Sequence, residues 1–254
     1  MSPLPPRVLC VDDEPRMLSA LQRSLFEHYE VEVAEGGEAA LALLASRPAF
    51  DVIISDQRMP GLQGSDLLER VRLGWPATER ILLTGQADLD AATAAVNRGG
   101  VFRFLLKPCP HDVLMEALAA ACERVRLRRE RRELLEGTLT GVAGTLGDIL
   151  AMVAPEAFQR TTLLRRCAAH AAPRLGLGER AWMLEVAARL AEIGAVGGMP
   201  DNTPHAQVAE SGARLLAKIP LLDGVARIVE WQDRAPPATL DPTEATCAQV
   251  LRAA

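Results

Sequence analysis

The sequence predicts an open α/β domain built on a five-stranded parallel sheet, followed by an all-helical half. Three observations predict it. Five short β-prone runs alternate with amphipathic stretches up to about residue 110, strand signals stop there, and residues 111–153 hold a helical apolar period without a proline.

The strand runs are 8–11, 31–33, 52–54, 81–83 and 101–106. Between them Leu18, Leu21 and Leu25 share one helical face, as do Ala40, Leu43 and Leu44, and then Leu67, Leu68 and Val71. Runs that are apolar on both faces suit central parallel strands. Five of them with short connections indicate the flavodoxin-like doubly wound order. In residues 111–153, Leu114, Leu118, Ala121, Val125, Leu135, Leu139, Val142, Leu146, Ile149 and Val153 recur at alternating four and three, with Arg128 and Arg132 at two seam positions. That heptad seam predicts a dimerising helix linking two domains, with a single buried helix as the alternative. Gly137, Gly141, Gly144 and Gly147 weaken it by roughly 1 kcal/mol each relative to alanine, yet their four-three spacing permits close helix contact. Residues 154–254 are alanine-rich and helical, with loops at 173–178, 194–204 and 234–242. Leu184, Ala187, Ala188, Ala191 and Ile193, then Leu215, Leu216, Ile219, Leu222, Val225, Ile228 and Val229, are the expected core there.

Composition narrows the function. The 254 residues carry 28 basic and 33 acidic side chains, a net charge of −5, with 49% hydrophobic and 24% charged residues. This is an ordinary globular composition, unlike that of a disordered chain or a dedicated nucleic-acid binder. The net charge is −4 over 1–110, zero over 111–136 and −1 over 137–254. Arg126/Glu130, Arg129/Glu133 and Arg132/Glu136 sit four apart and can pair along the helix, so the linker arginines do not require a nucleic-acid partner. No apolar run is long enough for a membrane span and no signal peptide is evident. Five cysteines, odd in number and without a CxxC pair, fit reduced thiols and a cytoplasmic location.

The chemistry concentrates at predicted strand ends. Asp12 and Asp13 follow the first strand, Asp56 the third, Thr84 the fourth and Lys107 the fifth. In a parallel open sheet these carboxyl ends form one edge, where ligands bind. Three carboxylates together require a cation, and hard oxygen ligands in a water-accessible pocket suit Mg²⁺. A hydroxyl and an ammonium beside them complete a site for a phosphoryl group. Each residue alone is an ordinary turn, cap or loop residue; five at the correct strand ends are not. The chain also uses arginine for 26 of its 28 basic residues, keeping lysine only at 107 and 218. A compact ammonium suits a tight phosphate pocket better than a planar guanidinium.

The stretches Val8-Leu9-Cys10-Val11-Asp12-Asp13-Glu14, Ser55-Asp56-Gln57-Arg58-Met59-Pro60-Gly61-Leu62-Gln63-Gly64, Leu82-Leu83-Thr84-Gly85 and Phe102-Arg103-Phe104-Leu105-Leu106-Lys107-Pro108 resemble the receiver domain of two-component response regulators. The resemblance implies a receiver over residues 1–120, with Asp56 as phosphoacceptor. It implies Mg²⁺ held by Asp12, Asp13, Asp56 and the backbone carbonyl of Arg58. Lys107 and Thr84 would contact the phosphate, Thr84 and Phe104 would form a switch pair, and a sensor histidine kinase would be the donor.

Residues 155–234 resemble, less closely, the HD-GYP phosphohydrolases that cleave cyclic di-GMP. The stretches are Leu175-Gly176-Leu177-Gly178, Ala187 through Pro200, Gly212-Ala213-Arg214-Leu215-Leu216 and Trp231-Gln232-Asp233-Arg234. Where that family has its His-Asp pair this chain has Ala191 and Glu192. Val208, Trp231 and Gln232 stand where ligand histidines fall, no Gly-Tyr-Pro follows, and the segment is short for the family. His170 and His205 read as surface or satisfied histidines and Glu192 as a surface carboxylate. The expectation is a degenerate, non-catalytic HD-like helical output domain after a linker helix at 111–153. The whole is then a response regulator: homodimeric through that helix, binding an unknown protein partner through its output domain, with no nucleic-acid or membrane partner. The alternative is a receiver-gated cyclic di-GMP phosphodiesterase with atypical metal ligands.

Overall fold

The structure is a computed structural model and describes residues 5–85, 100–200 and 203–254. The chain divides into two compact units, Met1–Arg131 and Arg132–Ala254.

The first unit runs β1 (Arg7–Asp12), α1 (Pro15–Leu25), β2 (Glu30–Glu35), α2 (Gly37–Ser46), β3 (Val52–Asp56), α3 (Gly64–Gly74), β4 (Glu79–Thr84) and β5 (Arg103–Leu106), and then enters α4 (His111–Val153). The strands pair in parallel in the order β2-β1-β3-β4-β5, the doubly wound arrangement the sequence predicts. Side chains alternate across the sheet. Leu9, Val11, Ile53 and Leu82 pack with Ala40, Leu44, Leu67, Leu68 and Val71 of α2 and α3. Val8, Cys10, Val52, Ile54, Ile81, Leu83 and Leu105 pack on the other face with Leu18, Leu21 and Leu25 of α1 and Leu114, Ala117, Leu118 and Ala121 of α4. Local chemistry sets the helix starts: Pro15 opens α1, where its missing N–H costs nothing. The last strand is shorter than the sequence suggests, Arg103–Leu106 against 101–106.

The heptad seam of 111–153 divides its work. Leu114, Leu118, Ala121 and Val125 are buried within the first unit. Arg128 Nη2 lies 2.6 Å from Glu79 Oε1, Arg124 Nε 3.3 Å from the same oxygen, and Arg129 Nη2 2.9 Å from Asp51 Oδ1. Arg126/Glu130 and Arg132/Glu136 pair along the helix at 2.8 and 3.5 Å as expected. Arg129 instead pairs with Asp51, just before β3.

In the second unit the seam splits again. Leu139 is buried and Leu146 partly so, whereas Leu135, Val142, Ile149 and Val153 are exposed. A straight helix has 3.6 residues per turn, so a 3.5-residue seam cannot stay on one face; Ala143 and Leu150 take over the inner position.

The rest of the second unit is helical: α5 (Pro155–Ala171), α6 (Ala181–Leu190), α7 (His205–Leu216), α8 (Asp223–Glu230) and α9 (Pro242–Ala253), with short 3₁₀ turns at Ala172–Arg174, Gly178–Arg180 and Ile193–Gly197. Its core contains Leu184, Ala187, Ala188, Ala191, Ile193, Leu216, Leu222, Val225, Ile228 and Val229, matching the apolar pattern. Leu215 is exposed and Ile219 only half-buried. A tight crossing requires glycine: a Cβ on Gly194 would lie 2.0 Å from the Val208 carbonyl oxygen. The sequence does not announce α9 through apolar period. Its start is set by Asp241, whose carboxylate accepts from the Thr243 and Glu244 N–H groups, followed by Pro242.

Candidate phosphoacceptor site

The carboxyl edge of the sheet collects the titratable residues. Asp12 ends β1 with Asp13 next, Asp56 ends β3, Thr84 ends β4, and Lys107 follows β5 directly. Carboxylate oxygens of Asp12, Asp13 and Asp56 lie within 4.8 Å of one another. Lys107 Nζ sits between two of them, 2.7 Å from Asp56 Oδ1 and 3.0 Å from Asp12 Oδ2. Asp12 is only 1% exposed and Asp56 is buried, whereas Asp13 is exposed. Backbone donors fix the two buried carboxylates: Glu14 N–H donates to Asp12 Oδ1 at 2.9 Å, and Arg58 N–H to Asp56 Oδ2 at 3.1 Å.

Burial works against the charge on Lys107, but hydrogen bonds to Asp56 and Asp12 outweigh it and hold its pKa above the ordinary lysine value. Three carboxylates against one ammonium leave a formal excess of two negative charges, −3 + 1 = −2. Oxygen donors with that excess, one of them facing solvent, fit a hard divalent cation.

Thr84 joins the same edge through its backbone, its carbonyl accepting from the Lys107 N–H at 2.8 Å. Thr84 is fully buried and its hydroxyl donates to the Gly85 carbonyl at 3.3 Å. Phe104 pairs in register with Leu82 and is 43% exposed. Residues 86–99, between β4 and β5, lie outside the described residues.

Two supports were not legible as site residues. A Cβ on Gly64 would lie 2.0 Å from the Asp56 carbonyl oxygen, so α3 can start this close to the acidic edge only with glycine. Gln57 braces the same turn: its N–H donates to the Leu83 carbonyl at 2.8 Å, and its side-chain oxygen accepts from Ser65 N–H at 3.2 Å. A lone Gly-Ser at a helix start is the only signal in the sequence.

The positions matching HD-family ligands form a different arrangement in the second unit. Glu192 is 4% exposed, correcting its expected surface position, with Arg160 Nη2 3.4 Å away. Burial raises its pKa, with Arg160 and His205 pulling the other way. His205 is exposed and hydrogen-bonded to Arg160. Gln232 is buried and donates to the Ala191 carbonyl at 2.8 Å. Among the described residues, the group of three or more carboxylate, histidine or cysteine side chains close enough to share a metal is Asp12, Asp13 and Asp56.

Comparison with known proteins agrees with this division. The hydrogenase transcriptional regulatory protein HoxA of Cupriavidus necator is 39% identical over 127 residues, covering 50% of this chain and 26% of that protein. The transcriptional regulatory protein GlrR of Escherichia coli is 38% identical over 125 residues, covering 49% and 28%. The match therefore spans little more than a quarter of either relative. A crystal structure described as adenylate cyclase from Rhodopirellula baltica superposes with a TM-score of 0.50 and 40% identity, covering 52% of this chain and 98% of that one. The response regulator receiver domain family matches residues 8–119. With its doubly wound sheet and acidic carboxyl edge, this part of the chain belongs to the response regulator receiver domains.

Proposed function

We propose that the chain is a cytoplasmic response regulator phosphorylated on Asp56 with Mg²⁺, and that the state of Asp56 controls helix 111–153 and a non-catalytic HD-like output unit. One observation carries the reading: Lys107 Nζ bridges Asp12 and Asp56 within a cluster of three carboxylates. Asp12, Asp13, Asp56 and the Arg58 carbonyl would hold the metal, which when bound supplies positive charge against the transferring phosphoryl oxygens. Asp56 offers an oxygen fixed by the Arg58 N–H. Lys107 neutralises the charge that arrives, and Thr84 moves to donate its hydroxyl to the phosphoryl group. Phe104, exposed at the surface, turns into the space Thr84 leaves. A sensor histidine kinase is the donor.

The exposed faces of Leu135, Val142 and Ile149, seven residues apart, support homodimerisation through the long helix. The buried core of the second unit and the non-ligand residues Ala191, Val208 and Trp231 support a role in binding a protein partner. Incubation with Mg²⁺ and a small phosphodonor tests the core claim. Wild type is expected to incorporate phosphate and Asp56→Asn to incorporate none; equal incorporation overturns the reading.

A further inference from the structure

A groove of about 550 Å³ opens in the second unit between the end of α5 and the start of α6. The small side chains of Ala168, Ala169, Ala172 and Ala181 line it. Trp182, half-buried, packs against the core and also lines the groove, so it presents an aromatic surface there. Arg165 and Arg166 also line the groove, and neither guanidinium group has an ion-pair or hydrogen-bond partner among the described residues. Glu185, the carboxylate lining the groove, is itself engaged by Arg189 at 3.3 Å and leaves both guanidinium groups uncompensated. The volume is that of a small-ligand site, and such sites combine apolar walls with a few orienting polar groups.

We propose that this groove binds a small aromatic anion, its ring against Trp182 and its anionic group on Arg165 and Arg166. Guanidinium groups match planar and tetrahedral oxyanions through paired donors, and an indole surface favours a flat ring. The proposal is independent of phosphorylation at Asp56 and of the metal chemistry considered above.

The test uses the full chain and 8-anilinonaphthalene-1-sulfonate, an aromatic sulfonate, with the uncharged N-phenyl-1-naphthylamine as its control. Arg165→Gln/Arg166→Gln is expected to weaken the sulfonate roughly tenfold or more, from lost charge-assisted hydrogen bonds, and to leave the neutral amine unchanged. Ala169→Trp, at an exposed lining position, fills the groove and should remove the same binding component of both probes, with circular dichroism unchanged. Adenosine monophosphate should displace the sulfonate where inorganic phosphate does not, because the ring contributes as well as the charge. Unchanged sulfonate affinity in both variants overturns the site. Equal losses for the neutral amine in the arginine variant overturn the charge recognition, and equal displacement by phosphate overturns the aromatic part.

Discussion

Replacing Lys107 by glutamine separates the electrostatics of the acidic edge from its shape. The ammonium makes two charge-assisted contacts, at 2.7 and 3.0 Å, to carboxylates that are almost wholly buried. Each such contact contributes about 1.5–3 kcal/mol in a protected setting. The lysine side chain is 28% exposed, so solvent screens part of this. The expected loss without metal is about 2–3 kcal/mol, since the variant leaves three carboxylates facing one another with no neutralising charge. Hydrogen exchange of peptides within residues 8–119 reads this unit without interference from the second. Two further dependences identify the cause. Millimolar Mg²⁺ should recover most of the loss, because a divalent cation neutralises the same excess charge. The pKa of Lys107 is raised by folding, so its stabilisation is fully present below the ordinary lysine range and fades as pH rises through the higher folded value. The gap between wild type and variant should therefore narrow only on the alkaline side of about 10.5. A gap that persists in Mg²⁺ and at strongly alkaline pH would show that Lys107 acts through packing, refuting the electrostatic account.

Gly64→Ala places a methyl group against the Asp56 carbonyl and should destabilise the first unit by about 1–3 kcal/mol while reducing phosphate incorporation; chemical denaturation and phosphodonor labelling measure the two effects. Glu79→Gln removes the carboxylate shared by Arg124 and Arg128. Both guanidinium groups are half exposed, so the cost should be about 1–2 kcal/mol rather than that of a fully buried pair, seen as faster proteolysis within residues 111–131. Leu135→Glu with Val142→Glu should convert a dimer to monomer in analytical ultracentrifugation; a wild-type chain that stays monomeric throughout the micromolar range refutes pairing through this helix. Burial raises the pKa of Glu192, so above the ordinary carboxylate value folding must bear a charge it disfavours, and stability declines as pH rises through the folded pKa. Glu192→Gln should flatten that decline in thermal melts taken from pH 4.5 upward.

The first unit was readable because its signals are local. Apolar runs such as 52–54 are continuous because both faces of the strand are covered, and a residue that ends such a run lands at the sheet's carboxyl edge. Asp12, Asp56 and Thr84 needed no contact information to be placed together. Gly64 did: its importance comes from a carbonyl eight residues earlier in the chain, and a glycine before a helix has many ordinary explanations. Arg129 shows the same limit from the opposite side. Glu133 is a plausible partner four residues on, but Asp51, just before β3, is at 2.9 Å, and sequence spacing cannot rank a local partner against a distant one.

The long helix shows how one sequence pattern can meet two demands. A four-three repeat predicts one seam facing one partner, yet its residues divide between the core of the first unit, the core of the second and an exposed face. The inner positions of the second unit are Leu139, Ala143, Leu146 and Leu150, which lie on one helical face against its globular core. The exposed Leu135, Val142 and Ile149 recur every seven residues, the period that paired helices use. Leu134 and Met152, at 72% and 83% exposed, lie near that stripe, and between residues 134 and 153 the only charges are Glu136 and Asp148. Between residues 134 and 153 the helix is thus apolar on its exposed side as well as on its inner side. If a second copy covers that stripe under the control of Asp56, the signal need not reach a catalytic centre in the second unit; it need only shift the equilibrium between the covered and the exposed state of this apolar surface.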